Sequence, residues 1–473
     1  MPDTPAPPVF TPREVRLIVL GLTLALFLSS LDQTIVATAL SAIASDLGGW
    51  ELMPWVVSSY LIASTVTTPI YGRLSDLYGR RPVLLASITL FALGALLSAL
   101  AWSMPMLIAM RVVQGLGGGG LRAISLAVVG DILPPRERGK VQGYLSATFA
   151  TANISGPVLG GLFVEYLSWP WIFWINLPLG AAAFAATYFQ LRRLPRPGRR
   201  PRIDWLGALL IVLSCTPVLV GITLVQRAGH WTAPEAWGCF LLGAVFLVAL
   251  VAQERSVPQP MLPLHLFRNG VFRTAIIVTG LASMVMMALT VLVPLHYQMV
   301  GGLSAKEAGL RMIAMTLGSV SGSFLAGQAV TATGRYRFLP ILGSSTALAM
   351  CLVVAWLGLG HSLWLDTLVT LALGLGFGCQ FSPITVVVQN AVDPRDGGVA
   401  VSCMMFFRLM GGAFGVALLS ALLLGRLPDH GATAAPAQAA EAFSLVFLAA
   451  AGLAALCLAA ALALKEQPLR GRD

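Results

Sequence analysis

Apolar residues in this chain do not alternate, and they do not keep to one stripe of a helix. They come in predominantly apolar runs of 18 to 27 residues, separated by short turns that carry Arg, Lys, Gly and Pro. A helix crossing the roughly 30 Å hydrocarbon core of a bilayer needs about 20 such residues. That window predicts fourteen spans, at 17–38, 54–72, 83–102, 105–130, 141–164, 171–191, 205–226, 236–253, 274–297, 308–330, 338–359, 364–390, 399–424 and 442–464. The third and fourth are separated only by Trp102-Ser103-Met104-Pro105. A cleaved signal peptide does not account for the first run, because thirteen spans follow it and Asp32 lies inside it.

Composition agrees. Hydrophobic residues make up 57% of the 473 and charged residues 11%, with a mean hydropathy of +0.82. Too few charges are present to solvate a water-facing surface, so the fold class is an all-α polytopic membrane protein. The net charge of +10 does not signal nucleic acid, since no soluble domain exists to present a basic face. It follows topology instead. With the N-terminus inside, 23 of the 30 Lys and Arg fall in cytoplasmic segments, three fall outside (Arg227, Lys306, Arg426) and four lie within spans (Arg111, Arg122, Arg311, Arg408). Positive-inside bias therefore puts both termini in the cytoplasm and the chain in the plasma (inner) membrane. The run from Arg192 to Arg202, interrupted by prolines, reads as an extended tether held near anionic headgroups. The six cysteines lie in apolar runs without a CxxC pair and read as small buried hydrophobes, not metal ligands.

The chain repeats itself. Gly72 and Gly79-Arg80 match Gly327 and Gly334-Arg335 at an offset of 255; Gly115-Leu116-Gly117-Gly118-Gly119 matches Gly374-Leu375-Gly376-Phe377-Gly378 at 259; Asp131 to Gly139 loosely matches Asp393 to Gly397 near 258; Gly156 and Gly160 match Gly411 and Gly415 at 255. Each repeat holds six spans, and the seventh and eighth are an insertion. The expected organisation is a cytoplasmic N-terminus (1–16), a six-helix bundle (17–191), a basic linker (192–204), two inserted helices (205–253), a second linker (254–273), a second six-helix bundle (274–464) and a cytoplasmic tail (465–473). Two related bundles around a site suit a rocking transporter. No filter sequence or carboxylate ring suggests a channel. Gly139-Lys140 lacks the rest of a P-loop, so neither ATP nor another cofactor is expected.

After the second span comes Gly72-Arg73-Leu74-Ser75-Asp76-Leu77-Tyr78-Gly79-Arg80-Arg81. Glycines there permit a tight turn, and Asp76 is placed either to face a helix N-terminus or to pair with Arg80. The segment resembles the cytoplasmic signature loop of the major facilitator superfamily. Leu31-Asp32-Gln33-Thr34-Ile35-Val36-Ala37-Thr38-Ala39-Leu40 resembles the first-span signature of its fourteen-spanner drug:proton antiporter branch, and Arg111-Val112-Val113-Gln114-Gly115 the fourth-span signature. Gly156-Pro157-Val158-Leu159-Gly160-Gly161 resembles the fifth-span antiporter motif, with the aromatic run Trp171 to Pro178 after it. The resemblance implies a major facilitator fold and proton-coupled export of lipophilic or amphipathic small molecules, of multidrug efflux type, with no enzymatic activity. Departures are Ala152 where the antiporter motif has Gly, Pro170 where the aromatic motif has Arg, Thr331 where the second loop would repeat Asp76, and Ala314 where the branch often has Pro.

Charge inside the spans is the sharpest signal. A carboxylate or guanidinium at span centre costs about 2.5–3.5 kcal/mol on insertion scales, so it faces the interior and has work there. Asp32 is expected to be the only acid deep in a span. It is the candidate proton carrier, or else a static partner of an arginine, with Arg111 at a similar depth in the fourth span. Arg122 belongs to no recognised signature; Asp131, a substrate anion or a lipid headgroup are all open to it. Gln33, Asn153, Gln298, Gln380 and Arg408 complete the candidates for a substrate cavity, and His296 is a further possible proton carrier. With few acids in the spans, the expected substrates are neutral, zwitterionic or singly charged lipophiles. A transporter dedicated to one metabolite or lipid would share every motif, and a membrane sensor would need a soluble domain that is missing. The topology predicts that a reporter fused after Asp473 reads cytoplasmic; an external readout would reverse every orientation above.

Overall fold

The computed structural model describes residues 11–49, 52–133, 135–193, 204–228, 233–257, 260–262, 264–303, 305–360, 362–393, 396–427 and 436–468. These form fifteen α-helices and two short 3₁₀ helices, with no strand among the described residues. The helices are α1 Pro12–Leu47, α2 Met53–Tyr78, α3 Arg80–Ala99, α4 Met104–Ile132, α5 Pro135–Tyr166, α6 Trp171–Trp174, α7 Asn176–Gln190, α8 Trp205–Ala228, α9 Pro234–Ser256, α10 Gly270–Met299, α11 Ala305–Thr333, α12 Phe338–Leu357, α13 Leu363–Ala391, α14 Gly397–Leu424 and α15 Pro436–Leu462. Twelve helical segments among the described residues are long and apolar enough to cross a membrane, α6 and α7 together making one. The other two expected spans, α2 and α5, have the length, at 26 and 32 residues, without that apolarity. In α2 the reason is visible: Ser59, Ser64, Thr65, Thr67 and Thr68 are buried in the protein.

Local chemistry sets the boundaries. Thr11 and Glu14 form a reciprocal capping box ahead of Pro12 in the first turn of α1, which satisfies donors the helix cannot. The narrow gap between the third and fourth spans is a true break, because the Ser103 hydroxyl caps α4 by accepting from Met106 N at 3.4 Å. Asn269 caps α10 in the same way.

The chain divides into two compact units. One comprises residues 1–134, 147–204 and 393–403; the other comprises 135–146, 205–392 and 404–473. The segments that depart from chain order begin at Pro135 and Asp393, 258 residues apart, which is the repeat offset. In the first unit α4 is enclosed by α1, α2 and α3. Its glycines face two ways: a Cβ on Gly115 or Gly119 would overlap the α2 backbone at Tyr60 or Ser64, and one on Gly117 would overlap the α3 backbone at Phe91. Between helices in lipid, attraction comes from close packing rather than from water exclusion, so small residues at the crossing hold the helices together. The second unit repeats this. Gly374 and Gly378 of α13 lie on the α11 backbone, and Gly376 lies on Gly343 of α12. Accordingly α4 and α13 are the most enclosed of the twelve apolar spans. The joint of α5 on α1, through Gly156 and Gly160, recurs as that of α14 on α10, through Gly411 and Gly415. The inserted α8 and α9 pack on each other, and α9 is the least buried span.

Gly161, the last residue of the fifth-span motif, does not join this packing. A Cβ there would meet nothing within 4 Å, since one residue along a helix turns the side chain about 100° away from Gly160. Gly117→Ala should therefore lower stability by about 1–3 kcal/mol through overpacking against backbone. Gly161→Ala should be neutral or stabilising by up to about 1 kcal/mol through helix propensity. Thermal unfolding of the two variants in detergent checks the contrast.

Candidate functional site

The first unit buries a charge network at its centre. Asp32 on α1 and Arg111 on α4 are both fully buried, and Arg111 Nη1 donates to Asp32 Oδ2 at 2.7 Å. Two residues not foreseen among the candidates complete the shell. Gln114 Nε2 donates to Asp32 Oδ1 at 2.8 Å, and Asn176 Nδ2, at the start of α7, donates to the same oxygen at 3.1 Å. Both oxygens act only as acceptors, the role of an ionised acid. Arg111 is answered on its other sides: Nη1 also donates to Gln114 Oε1 at 2.7 Å, Nε donates to Val56 O at 3.1 Å, and the guanidinium lies 4.4 Å from the Tyr60 ring centre. Four spans, the first, second, fourth and sixth, are thus tied to one ion pair.

Arg122, about three turns further along α4, donates through Nη2 to Gln33 Oε1 at 2.8 Å and to Ser29 O at 3.4 Å. Asp131, one of its candidate partners, is instead held by Arg80, whose Nε donates to Asp131 Oδ2 at 2.7 Å.

Beside Asp32, α5 lies close on α1. The Thr34 hydroxyl donates to Ala152 O at 3.1 Å, and a Cβ on Gly156 or Gly160 would overlap the hydroxyl of Thr34 or Thr38. Ala152, standing where the motif has glycine, is itself fully buried. The side chains of Asn153 and Pro157 lie outside the described residues.

At the signature loop, both alternatives for Asp76 occur together. Its Oδ1 accepts from Gly398 N at 3.0 Å and its Oδ2 from Val399 N at 2.8 Å, in the first turn of α14, and Arg80 pairs with it. Exposed N–H groups at a helix start are a natural seat for a carboxylate. Gly79 sits at φ +93°, which a side chain rarely tolerates, and it closes α2 and opens α3 without a spacer. Gly72 lies against Ser402 and Gly398 so closely that a Cβ would overlap both. In the second copy, Thr331 turns back to Gly327 O of its own helix at 2.9 Å.

The remaining candidates belong to the second unit. Gln298 is exposed, and its Nε2 donates to Pro294 O at 3.3 Å. Gln380 is buried and accepts from the Cys457 thiol at 3.4 Å. Arg408 lies 3.9 Å from the Phe381 ring centre. Asp32 is not alone in being a buried acid on a spanning helix, although the second such acid does not lie deep in its span. Asp366 of α13 is 1% exposed, pairs with Arg311 of α11, and accepts from Gly360 N at 3.1 Å. Only three residues from the start of its helix, it has the sequence appearance of a solvated first-turn acid.

The Major Facilitator Superfamily model matches residues 22–416. Multidrug resistance protein 3 of Bacillus subtilis (strain 168) is 34% identical over 407 residues, 86% of this chain and 79% of that one. The multidrug transporter protein MdtP of the same organism is 32% identical over 412 residues, 87% and 75%. Among solved structures, the human organic anion transporter MFSD10 (TETRAN) matches with a TM-score of 0.68 at 17% identity, covering 95% of this chain and 100% of that one. The proton:xylose symporter XylE matches with 0.63 at 15%, covering 93% and 95%. At those identities the structures speak for the fold alone.

The loop geometry makes a separable prediction. Asp76→Asn keeps the shape but loses the charge facing the first turn of α14 and Arg80, and Gly79→Val forces a β-branched residue into positive φ. Each should lower transport severalfold while leaving membrane insertion near normal. Transport rate normalised to inserted protein checks this, and unaltered rates would make the loop passive.

Proposed function

The chain belongs to the major facilitator superfamily, whose members are transporters and not enzymes, and from that premise we propose that it exports lipophilic or amphipathic small molecules in exchange for protons. The observation that carries the proposal is the Asp32 carboxylate, fully buried within a span and held by Arg111, Gln114 and Asn176. A purely structural ion pair in that place would be no more stabilising than an apolar contact of equal volume. The names of the two bacterial relatives support substrates of multidrug type.

In this reading α2, whose polar side chains turn to protein, and α5 are also spans, which makes fourteen. Two six-helix bundles, 17–191 and 274–464, flank the inserted pair 205–253, and both termini are cytoplasmic in the plasma membrane. Protonation of Asp32 removes the negative charge that Arg111 answers. The α1–α5 joint, built on Gly156 and Gly160, gives the close sliding contact along which α1 can shift. Contacts of Asp76 with the start of α14 break and re-form in each cycle. ATP is not required. One proton moving inward across 100 mV supplies about 2.3 kcal/mol, enough to concentrate a neutral substrate about fifty-fold.

Asp32→Asn tests the proposal. The amide cannot carry a proton through the cycle, and it leaves Arg111 without a counter-charge, so folding is checked alongside by downhill exchange. In proteoliposomes with an imposed pH gradient, wild type should accumulate substrate, and Asp32→Asn should equilibrate without accumulating. A panel of unrelated lipophiles in the same vesicles separates broad export from a dedicated carrier. Undiminished gradient-driven accumulation by the mutant would move the proton path elsewhere, His296 and Glu307 being the next groups to replace.

A further inference from the structure

Arg122 differs from the other two buried arginines of the first unit, Arg80 and Arg111, in one respect: among the described residues no carboxylate answers it. It is 7% exposed, its Nε is buried without a hydrogen-bond partner, and its two bonds go to neutral acceptors, Gln33 Oε1 and Ser29 O. Asp32, Asp76, Asp131 and Asp46 are committed to other groups. Asp32 holds Arg111, Asp76 and Asp131 hold Arg80, and Asp46 accepts from the Trp169 indole at 2.7 Å. A guanidinium is charged under all conditions a membrane protein meets, and its donors form a planar fork suited to a carboxylate. An uncompensated charge inside a span is costly, and such residues point to a ligand or ion that answers them.

Gln33 completes the arrangement. It follows Asp32 on α1, so the two side chains leave the helix about 100° apart, Asp32 toward Arg111 and Gln33 toward Arg122. Its amide oxygen is engaged by Arg122, and its amide nitrogen keeps two N–H donors. Gln33 is only partly buried. Tyr60 links the two arginines: its hydroxyl donates to the same Ser29 carbonyl, at 3.4 Å, and its ring faces Arg111. Gly118 makes room for that hydroxyl, where a Cβ would lie 2.5 Å away.

We propose that Arg122 and Gln33 form a subsite for an organic monoanion, and that the preferred substrates are lipophiles carrying one carboxylate. The Gln33 amide oxygen is the neutral stand-in for that group. An arriving carboxylate takes its place on Arg122 and receives an N–H from the turned Gln33 amide. The proposal rests on the export reading and narrows its substrate class.

The test is equilibrium binding to the purified full-length protein in detergent, with radiolabelled 2-naphthoate and its neutral isostere 2-naphthamide. No gradient is involved, so failure of uphill export and failure of the anion site are separately visible. Wild type should favour naphthoate over naphthamide by about tenfold or more. Arg122→Gln should bring the ratio close to one, and Arg122→Lys should retain part of it. Gln33→Glu places a resident carboxylate on Arg122 without emptying the site, so it should also abolish the preference for naphthoate while naphthamide still binds. Retained naphthamide binding shows that each variant is folded. A wild type with no preference for the anion, or binding neither probe, overturns the proposal. So does a preference that survives both Arg122→Gln and Gln33→Glu, which would make Arg122 a purely structural residue.

Discussion

The ion pair between Asp32 and Arg111 is the constraint around which the first unit is arranged. Two charges removed from water inside a bilayer must each be satisfied almost completely, or the pair costs more than it returns. Here the carboxylate takes three donors, and the guanidinium takes the carboxylate, a glutamine oxygen, a backbone carbonyl and an aromatic face. Those partners come from four spans. Such a shell demands that α4 lie close to its neighbours, and the glycines from 115 to 120 supply that closeness. The charge network and the glycine run are therefore two sides of one requirement.

The repeat preserves the backbone joints and redistributes the charge. In both units the glycine-rich helix (α4 or α13) lies against α2 or α11, and the α1–α5 joint reappears as α10–α14. At the 255-residue offset, Arg311 falls where Val56 sits in the first half. Val56 offers its carbonyl to an arginine of α4; Arg311 is itself the arginine and meets an acid of α13. Each unit thus pairs one guanidinium at the corresponding crossing, supplied from opposite helices and fully buried only in the first. The loops diverge in the same manner. Asp76 reaches the first turn of α14, whereas Thr331 satisfies itself on its own helix. Close packing of small residues tolerates little change, while a buried charge can move to another helix if its partner moves with it.

What was legible in the sequence follows the same physics. Span length is dictated by bilayer thickness, so the twelve apolar spans fall on expected runs, and Ser103 lies at the narrowest break. Asp32 and Arg111 stood out because ionised groups are rare within spans. Gln114 and Asn176 did not, although both lie inside recognised motifs. Neutral polar residues are frequent in these helices, and only three-dimensional convergence on Asp32 separates two of them from the rest. Asp366 was missed because an acid in the first turn of a helix is ordinarily a solvated dipole partner. Burial there depends on Arg311, 55 residues earlier in the chain.

Helix α4 carries charges at three depths: Arg111 to Asp32, Arg122 to Gln33, and Asp131 to Arg80. From Arg111 to Asp131 is about 30 Å at 1.5 Å per residue, nearly the thickness of the hydrocarbon core. Backbone-to-backbone contact at Gly115, Gly117 and Gly119 binds the middle of α4 to α2 and α3, which leaves these three helices little freedom to slide on one another. Helix α1 is tied to this group by side chains, at Asp32 and Gln33, the two places where the proposed function has a proton or an anion arrive. Its contact with α5 is likewise made by small residues and hydroxyls. The packing therefore separates a stiff body, which holds both the Asp32 partner and the signature loop, from the helix whose attachments are chemically exchangeable. A change of charge at Asp32 would act on α1 first. It would reach the loop through a body that moves as a whole, without a chain of side-chain rearrangements between the two sites.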